Sequence, residues 1–257
     1  MITRLYKKVR HGAPAFLWRV LQSRAKRALQ KNKELWEMLD AYLSKTGSTG
    51  CSYTDYLELY TYVRTHKPKE VLECGTGVST IILGHALWEN AKESGDAVRL
   101  TSMEELPEFF NRAKEILPEH LTAIVDLRLS ETVPDAFAFV RGMRYKDTPE
   151  RSYDFVFIDG PNPKVPTDGT MSFDFDFIRV VLRSDKPVYA IVDRRITTCY
   201  ALQSLFGRDK VRFDYVRELG FIGPCRKEDL ENERRMSARL AAPHPFRRQM
   251  FFDSFPF

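Results

Sequence analysis

Residues 70–87 read EVLECGTGVSTIILGHAL, and the fold of the whole chain turns on what this stretch can form. Val71 and Leu72 continue a short apolar strand that ends on an acid, Glu73. Gly75 and Gly77 follow, one residue apart, and the run from Ser79 to Leu87 has the composition of a helix. A strand feeding a glycine turn feeding a helix brings bare backbone close to a ligand, and the free N–H groups of the helix start favour electronegative atoms. The dinucleotide fingerprint needs a third glycine at position 80, where this chain has Thr80. An acid before the first glycine, without the third, suits a ligand carrying an amino acid and a nucleoside rather than a pyrophosphate.

Working outward, the segments around this unit alternate strand and helix. Thr54 to Thr65 predicts a helix with Leu57, Tyr60 and Val63 on its inner face, stopped before Pro68. Ala97 to Met103 predicts the second strand, ending at Glu104 and Glu105. An acid there can accept hydrogen bonds from both ribose hydroxyls. We assign that role to Glu104 and leave Glu105 to solvent. Ile124 to Leu129 is the third strand, running into Ser130, and Pro134 to Val140 is expected to start a helix. Arg141 to Arg151 reads as a charged connection without a site.

Tyr153 to Ile158, YDFVFI, is apolar almost throughout, as a central parallel strand should be, and ends in Asp159, Gly160 and Pro161. In the following loop, Asp174 and Asp176 share a face if extended, or cap the helix Phe177 to Arg183. Pro187 to Val192 is the fifth strand, followed by Asp193, Arg194 and Arg195. Val211 to Val216 and Phe221 to Gly223 are short closing strands. The expected fold class is α/β: a Rossmann-like, doubly wound, mostly parallel seven-stranded sheet with helices on both faces and an N-terminal helical extension.

The phrases EVLECGTGVST and YDFVFIDGP, with a strand-end acid between them, resemble the class I S-adenosylmethionine-dependent methyltransferases over roughly residues 55–225. The resemblance implies S-adenosylmethionine as cofactor, contacted by Glu73, Gly75, Thr76, Gly77, Ser79, Thr80, Glu104, Leu129, Ser130 and Asp159. It implies catalytic roles for Asp159, Asp193 and Arg194 at the acceptor. Some small-molecule O-methyltransferases bind a metal through acids at these two strand ends, with an Asn or Asp directly after the second. Here that position is Arg194, so a divalent metal is the disfavoured alternative and a cation holding an anionic acceptor the favoured one. The acceptor expected by analogy is a hydroxyl on a small molecule or glycan. Two readings stay open beside it: a non-catalytic interaction protein on the same fold, and a nicotinamide-dependent oxidoreductase, which Thr80 disfavours.

The charge is uneven. Of a net +5, ten cations and no acid fall in residues 1–33, leaving −5 on the remainder. From Pro14 an amphipathic helix is expected, with Arg19, Arg24, Lys26, Arg27, Lys31 and Lys33 along it. Such a helix packs on its own domain, on a second subunit as a homodimer, or on an anionic membrane surface; nucleic acid is disfavoured because the body is acidic. The division expected is residues 1–50 as the basic helical extension, 51–225 as the cofactor-binding domain, and 226–257 as a charged helix and aromatic tail. Cys51, Cys74, Cys199 and Cys225 show no metal-type spacing, which with the lack of a signal segment suggests the cytoplasm. The five histidines form no motif, and His85 reads as structural.

Overall fold

A computed structural model of the protein describes residues 15–46, 52–138, 140–162, 164, 169 and 172–231. The expectations for residues 1–14 and for the tail beyond 231 lie outside them. Three helices come first, α1 (Ala15–Leu29), α2 (Lys33–Thr46) and α3 (Tyr53–His66). Then β1 (Glu70–Cys74), α4 (Val78–Ser94), β2 (Arg99–Glu104), α5 (Pro107–Ile116) and β3 (Val125–Leu129) alternate. After β4 (Thr132–Phe137) and β5 (Val140–Tyr145), the order is β6 (Phe155–Ile158), α6 (Asp176–Arg183), β7 (Val188–Asp193) and α7 (Ile196–Phe206). The described chain closes with β8 (Val211–Asp214), β9 (Leu219–Cys225) and a short α8 (Lys227–Glu231).

Seven strands form one sheet in the order β3-β2-β1-β6-β7-β9-β8. Its first five strands are parallel, and β9 runs antiparallel to both β7 and β8. This is the Rossmann-like doubly wound sheet expected from the sequence. Because side chains alternate along a strand, Leu72 and Cys74 join a core with α6 and α7, while Val71 faces the other side. That second core holds Ile81, Leu83 and Leu87 of α4 together with Leu29, Leu35 and Leu39. The described N-terminal helices therefore contribute to one of the two cores. Gln22 reinforces the join, its Nε2 donating to Thr54 Oγ1 at 2.8 Å and its Oε1 accepting from the Tyr53 N–H at 2.8 Å.

The sequence reading of 134–151 fails. Instead β4 and β5 pair antiparallel, from Thr132↔Tyr145 to Phe137↔Val140. Pro134 and Asp135 suggested a helix start, but distant partners decide the conformation. Met143 exchanges backbone hydrogen bonds with Phe173 and Phe175 at 2.9 and 2.8 Å. Asp135 binds Arg144 and, 44 residues away, Arg179 of α6. No helix among the described residues is long and apolar enough to cross a membrane.

Candidate active site

The strand order reverses between β1 and β6, and a ligand crevice opens outside the carboxyl ends of strands at such a point. Here the crevice holds a cavity of about 410 Å³, within the range of small-molecule sites. One wall is the turn Gly75, Thr76, Gly77 and the end of β2, Glu104 to Leu106. The facing wall is Asp159, Gly160 and Asn162 after β6, with Tyr145 of β5 and Arg195 after β7. Phe109 and Arg112 of α5 and Tyr42 of α2 complete it.

Gly75 is fixed by geometry. Its φ is +100°, and a Cβ there would stand 2.9 Å from the carbonyl oxygen of Asp159. Gly77 differs: its backbone is extended, and a Cβ would meet only Ser79 Oγ, at 3.9 Å. The protein thus leaves open space beside Gly77, on the cavity wall. Behind the turn, Glu73 is fully buried and accepts hydrogen bonds from Thr80 Oγ1 at 2.6 Å and Ser102 Oγ at 2.5 Å. Ser102 is its register partner on β2. Burial pushes the Glu73 carboxyl up to about 7. Thr80, at the position of the missing glycine, also accepts from the Gly77 N–H at 3.0 Å. Its hydroxyl links the turn to the acid beneath.

Glu104 ends β2 with its carboxylate on the cavity. Oε1 accepts from the Glu105 and Leu106 N–H groups at 2.9 and 2.8 Å, and Oε2 from the Thr76 N–H at 3.3 Å. Burial raises its pKa against those bonds. Glu105 corrects the solvent reading. Both its oxygens accept from the Asn162 N–H, at 2.9 and 3.1 Å, tying the two walls together.

At the opposite end, Arg195 organises the acids. Nη1 donates to Pro161 O at 2.7 Å and Asp174 Oδ1 at 2.8 Å, Nη2 donates to Asp159 O, and Asp159 Oδ1 lies 3.6 Å away. Burial pushes Asp159 up to about 6, with Arg195 opposing the rise. Asp174 is held by Arg195 and Thr198, and Asp176 accepts from the Tyr145 N–H and Thr148, so both acids are engaged within the fold.

Of the residues singled out in the sequence, Gly75, Thr76, Gly77, Glu104 and Asp159 line one cavity. Glu73, Ser79 and Thr80 lie directly behind it, each at most 2% exposed. Leu129 and Ser130 do not line it; Ser130 Oγ is turned to the Glu131 carbonyl and accepts from the Asp147 N–H. Arg194 requires a correction too. At φ +52° its guanidinium turns towards Asp193, Glu218 and Asp55, at 3.6, 3.6 and 3.9 Å. Of the two arginines after β7, the one lining the cavity is Arg195. Asp193 is 4% exposed and pushed up to about 8 by burial and by the nearby Asp159 and Asp55. Guanidinium groups stand 3.6 Å from both Asp159 and Asp193, so this donor set does not fit a divalent metal. Leu106, capping the start of α5, and Phe109, three residues on, were missed although they remain 48% and 43% exposed. That spacing was a readable signal.

Neither a protein-family model nor a curated protein matches this chain. Among solved structures, an O-methyltransferase from Bacillus cereus in complex with SAH aligns at 17% identity over 82% of this chain and 79% of that one, TM-score 0.44. A methyltransferase from Geobacter sulfurreducens aligns at 13% identity over 74% and 88%, TM-score 0.45. An SAH-bound methyltransferase from Podospora anserina aligns at 14% over 85% and 84%, TM-score 0.42. All these scores fall below 0.5, and the site is read from the chain's own residues.

Proposed function

We propose that this chain is an S-adenosylmethionine-dependent methyltransferase acting on a hydroxyl of a small molecule or glycan. The observation that carries the reading is the charge and shape of the switch-point cavity. Three carboxylates, Glu104, Glu105 and Asp159, outnumber the two guanidinium groups, Arg112 and Arg195, around a turn whose Gly77 leaves room for a ligand. A dianionic pyrophosphate would meet those acids unfavourably, whereas a ligand carrying a sulfonium and an ammonium complements them. When bound, S-adenosylmethionine supplies a methyl group for in-line transfer to an acceptor lone pair. Glu104 accepts hydrogen bonds from the ribose hydroxyls, and the exposed Leu106 and Phe109 cover the base. Asp159 takes the acceptor hydroxyl proton onto its carboxylate, a role its value near 6 suits at neutral pH. Arg195 keeps the Asp159 backbone and the Pro161 loop in place and offers a cation to an anionic acceptor.

Calorimetric titration tests this. Glu104→Ala should bind S-adenosylmethionine about ten- to a hundredfold more weakly, the loss of a charge-assisted hydrogen bond worth ~1.5–3 kcal/mol. Wild-type affinity should rise with pH through about 6, because free Asp159 holds a proton below that value and a cationic ligand prefers the carboxylate. NAD should bind weakly if at all. Tighter binding of NAD than of S-adenosylmethionine, or an unaffected Glu104→Ala, would overturn the assignment. Cofactor binding without turnover of labelled methyl donor in any extract would favour the non-catalytic alternative.

The described part of the basic segment is compatible with a cytoplasmic protein touching an anionic membrane. Arg19, Arg24, Arg27, Lys31 and Lys33 are exposed on or just after α1. Co-sedimentation with phosphatidylserine vesicles at low salt, lost at high salt, is the expected result. Equal sedimentation with neutral vesicles would remove the electrostatic account.

A further inference from the structure

We infer that Glu34, His85 and His120 form a binding site for a zinc-class divalent ion, remote in role from the cavity and independent of what the cavity binds. The three residues come from α2, α4 and the 3₁₀ turn Glu119–Leu121. One donor atom from each lies within 4.8 Å of the other two. Glu34 and His120 are exposed, and His85 is completely buried beneath them.

The state of His85 points to a ligand. Its Nε2 lies 3.5 Å from Glu89 Oε1 and 3.4 Å from Asn32 Nδ2, while its Nδ1 is buried without any hydrogen-bond partner. A buried polar atom left unpaired is costly to the fold. Glu89 is itself held: Oε1 accepts from Asn32 Nδ2 at 2.8 Å, and Oε2 accepts from the Tyr60 hydroxyl at 2.6 Å with Arg64 Nε 3.3 Å away. Asn32 Nδ2 spends its two hydrogens on Glu89 Oε1 and on the Tyr60 hydroxyl, at 2.8 and 3.0 Å, so the acceptor facing His85 Nε2 is the fixed Glu89 carboxylate. An Nε2–H turned towards that carboxylate leaves the lone pair on Nδ1, and a carboxylate behind a histidine in this way orients it to ligate a metal.

Two imidazoles and one carboxylate suit zinc, cobalt, nickel or copper better than magnesium or calcium, which prefer all-oxygen shells. With metal–ligand bonds of about 2.0–2.2 Å, tetrahedral donors stand roughly 3.3 Å apart. Closing from within 4.8 Å requires side-chain rotation by the exposed Glu34 and His120, the latter pivoting against the Trp88 ring 4.9 Å away. A fourth position stays open to water. The ion would clamp α2 to α4 and to the turn before β3. Tyr42, a cavity residue, sits on the same α2 helix as Glu34.

The test uses the untagged full chain, stripped with a chelator and titrated with Co²⁺ in a non-coordinating buffer. Visible spectra should show the intense bands of four- or five-coordinate cobalt, saturating at one equivalent and displaced by Zn²⁺ but not by Mg²⁺. His120→Ala and Glu34→Gln should each weaken binding by at least about tenfold, whereas His66→Ala should not. Zn²⁺ should raise the melting temperature of wild type and not of His120→Ala, the two having the same melting temperature without metal. Weak octahedral cobalt spectra, or equal stabilisation of wild type and His120→Ala by Zn²⁺, would overturn the site.

Discussion

Arg195→Ala is expected to destabilise the fold by about 3–5 kcal/mol at pH 8, the cost of leaving a buried acid without its counter-charge. Asp174 has only 1% of its side chain exposed, and Arg195 donates to it at 2.8 Å. The same guanidinium donates to the carbonyls of Pro161 and Asp159, so one deletion removes three anchors from the loop after β6. The pH dependence separates charge from packing. Burial holds Asp174 up at about 7, Arg195 and Thr198 opposing the rise, whereas the unfolded chain titrates near 3.9. Between those values the native state binds the extra proton, so this acid's contribution to stability falls as pH rises and levels off above about 7. Without Arg195 the folded value climbs further, and the decline continues to higher pH. The deficit of Arg195→Ala should therefore be largest at pH 8 and shrink at pH 5, where Asp174 is protonated in both proteins. Urea denaturation followed by circular dichroism at the two pH values measures it. Arg195→Lys should fall between, since it restores charge but not the forked geometry. A deficit below about 1 kcal/mol at pH 8, or one independent of pH, would mean the cation is not what holds this end of the cavity.

The choice between Arg194 and Arg195 shows where reading the chain stops working. Strand alternation extends through Asp193, and nothing in DRR tells which arginine turns inward. Arg194 takes a left-handed φ of +52°, its N–H donating to Glu218 O across β9 at 2.9 Å, and that single residue breaks the alternation. The β4–β5 pair was missed for a related cause: its conformation depends on Phe173, Phe175 and Arg179, none of them local. Glu34, His85 and His120 were invisible together because three elements far apart in sequence converge on one surface. The placement of Glu104 and Asp159 on the cavity was legible because the end of a parallel strand is a position that periodicity and length can mark. The glycine turn was legible for the same reason, as a break between two opposite periodicities. What was not legible was that its two glycines do different work.

That difference gives the second large effect. Gly75→Ala is expected to lose about 2–4 kcal/mol of stability, because a side chain at φ +100° is strained and its Cβ would stand 2.9 Å from backbone that cannot move aside. Asp159 N–H already donates to Cys74 O at 2.8 Å and Gly75 N–H to Met103 O at 3.0 Å, so β1, β2 and β6 converge on this point. Gly77→Ala should fold normally, within ~0.5 kcal/mol of wild type, since its backbone is extended and the nearest side-chain atom is 3.9 Å away. Its added carbon projects where the proposed ligand lies against the turn, and Gly77→Val fills more of that space. S-adenosylmethionine affinity should then drop by roughly tenfold for Gly77→Ala and more for Gly77→Val, a loss on the order of 1.4 kcal/mol or greater. Thermal melts without ligand and calorimetry with it separate the two glycines. A destabilised Gly77→Ala would mean the turn is tighter than its contacts indicate. Unchanged affinity in a folded Gly77→Val would mean no ligand approaches the backbone there, and the cofactor reading of the cavity would fall with it.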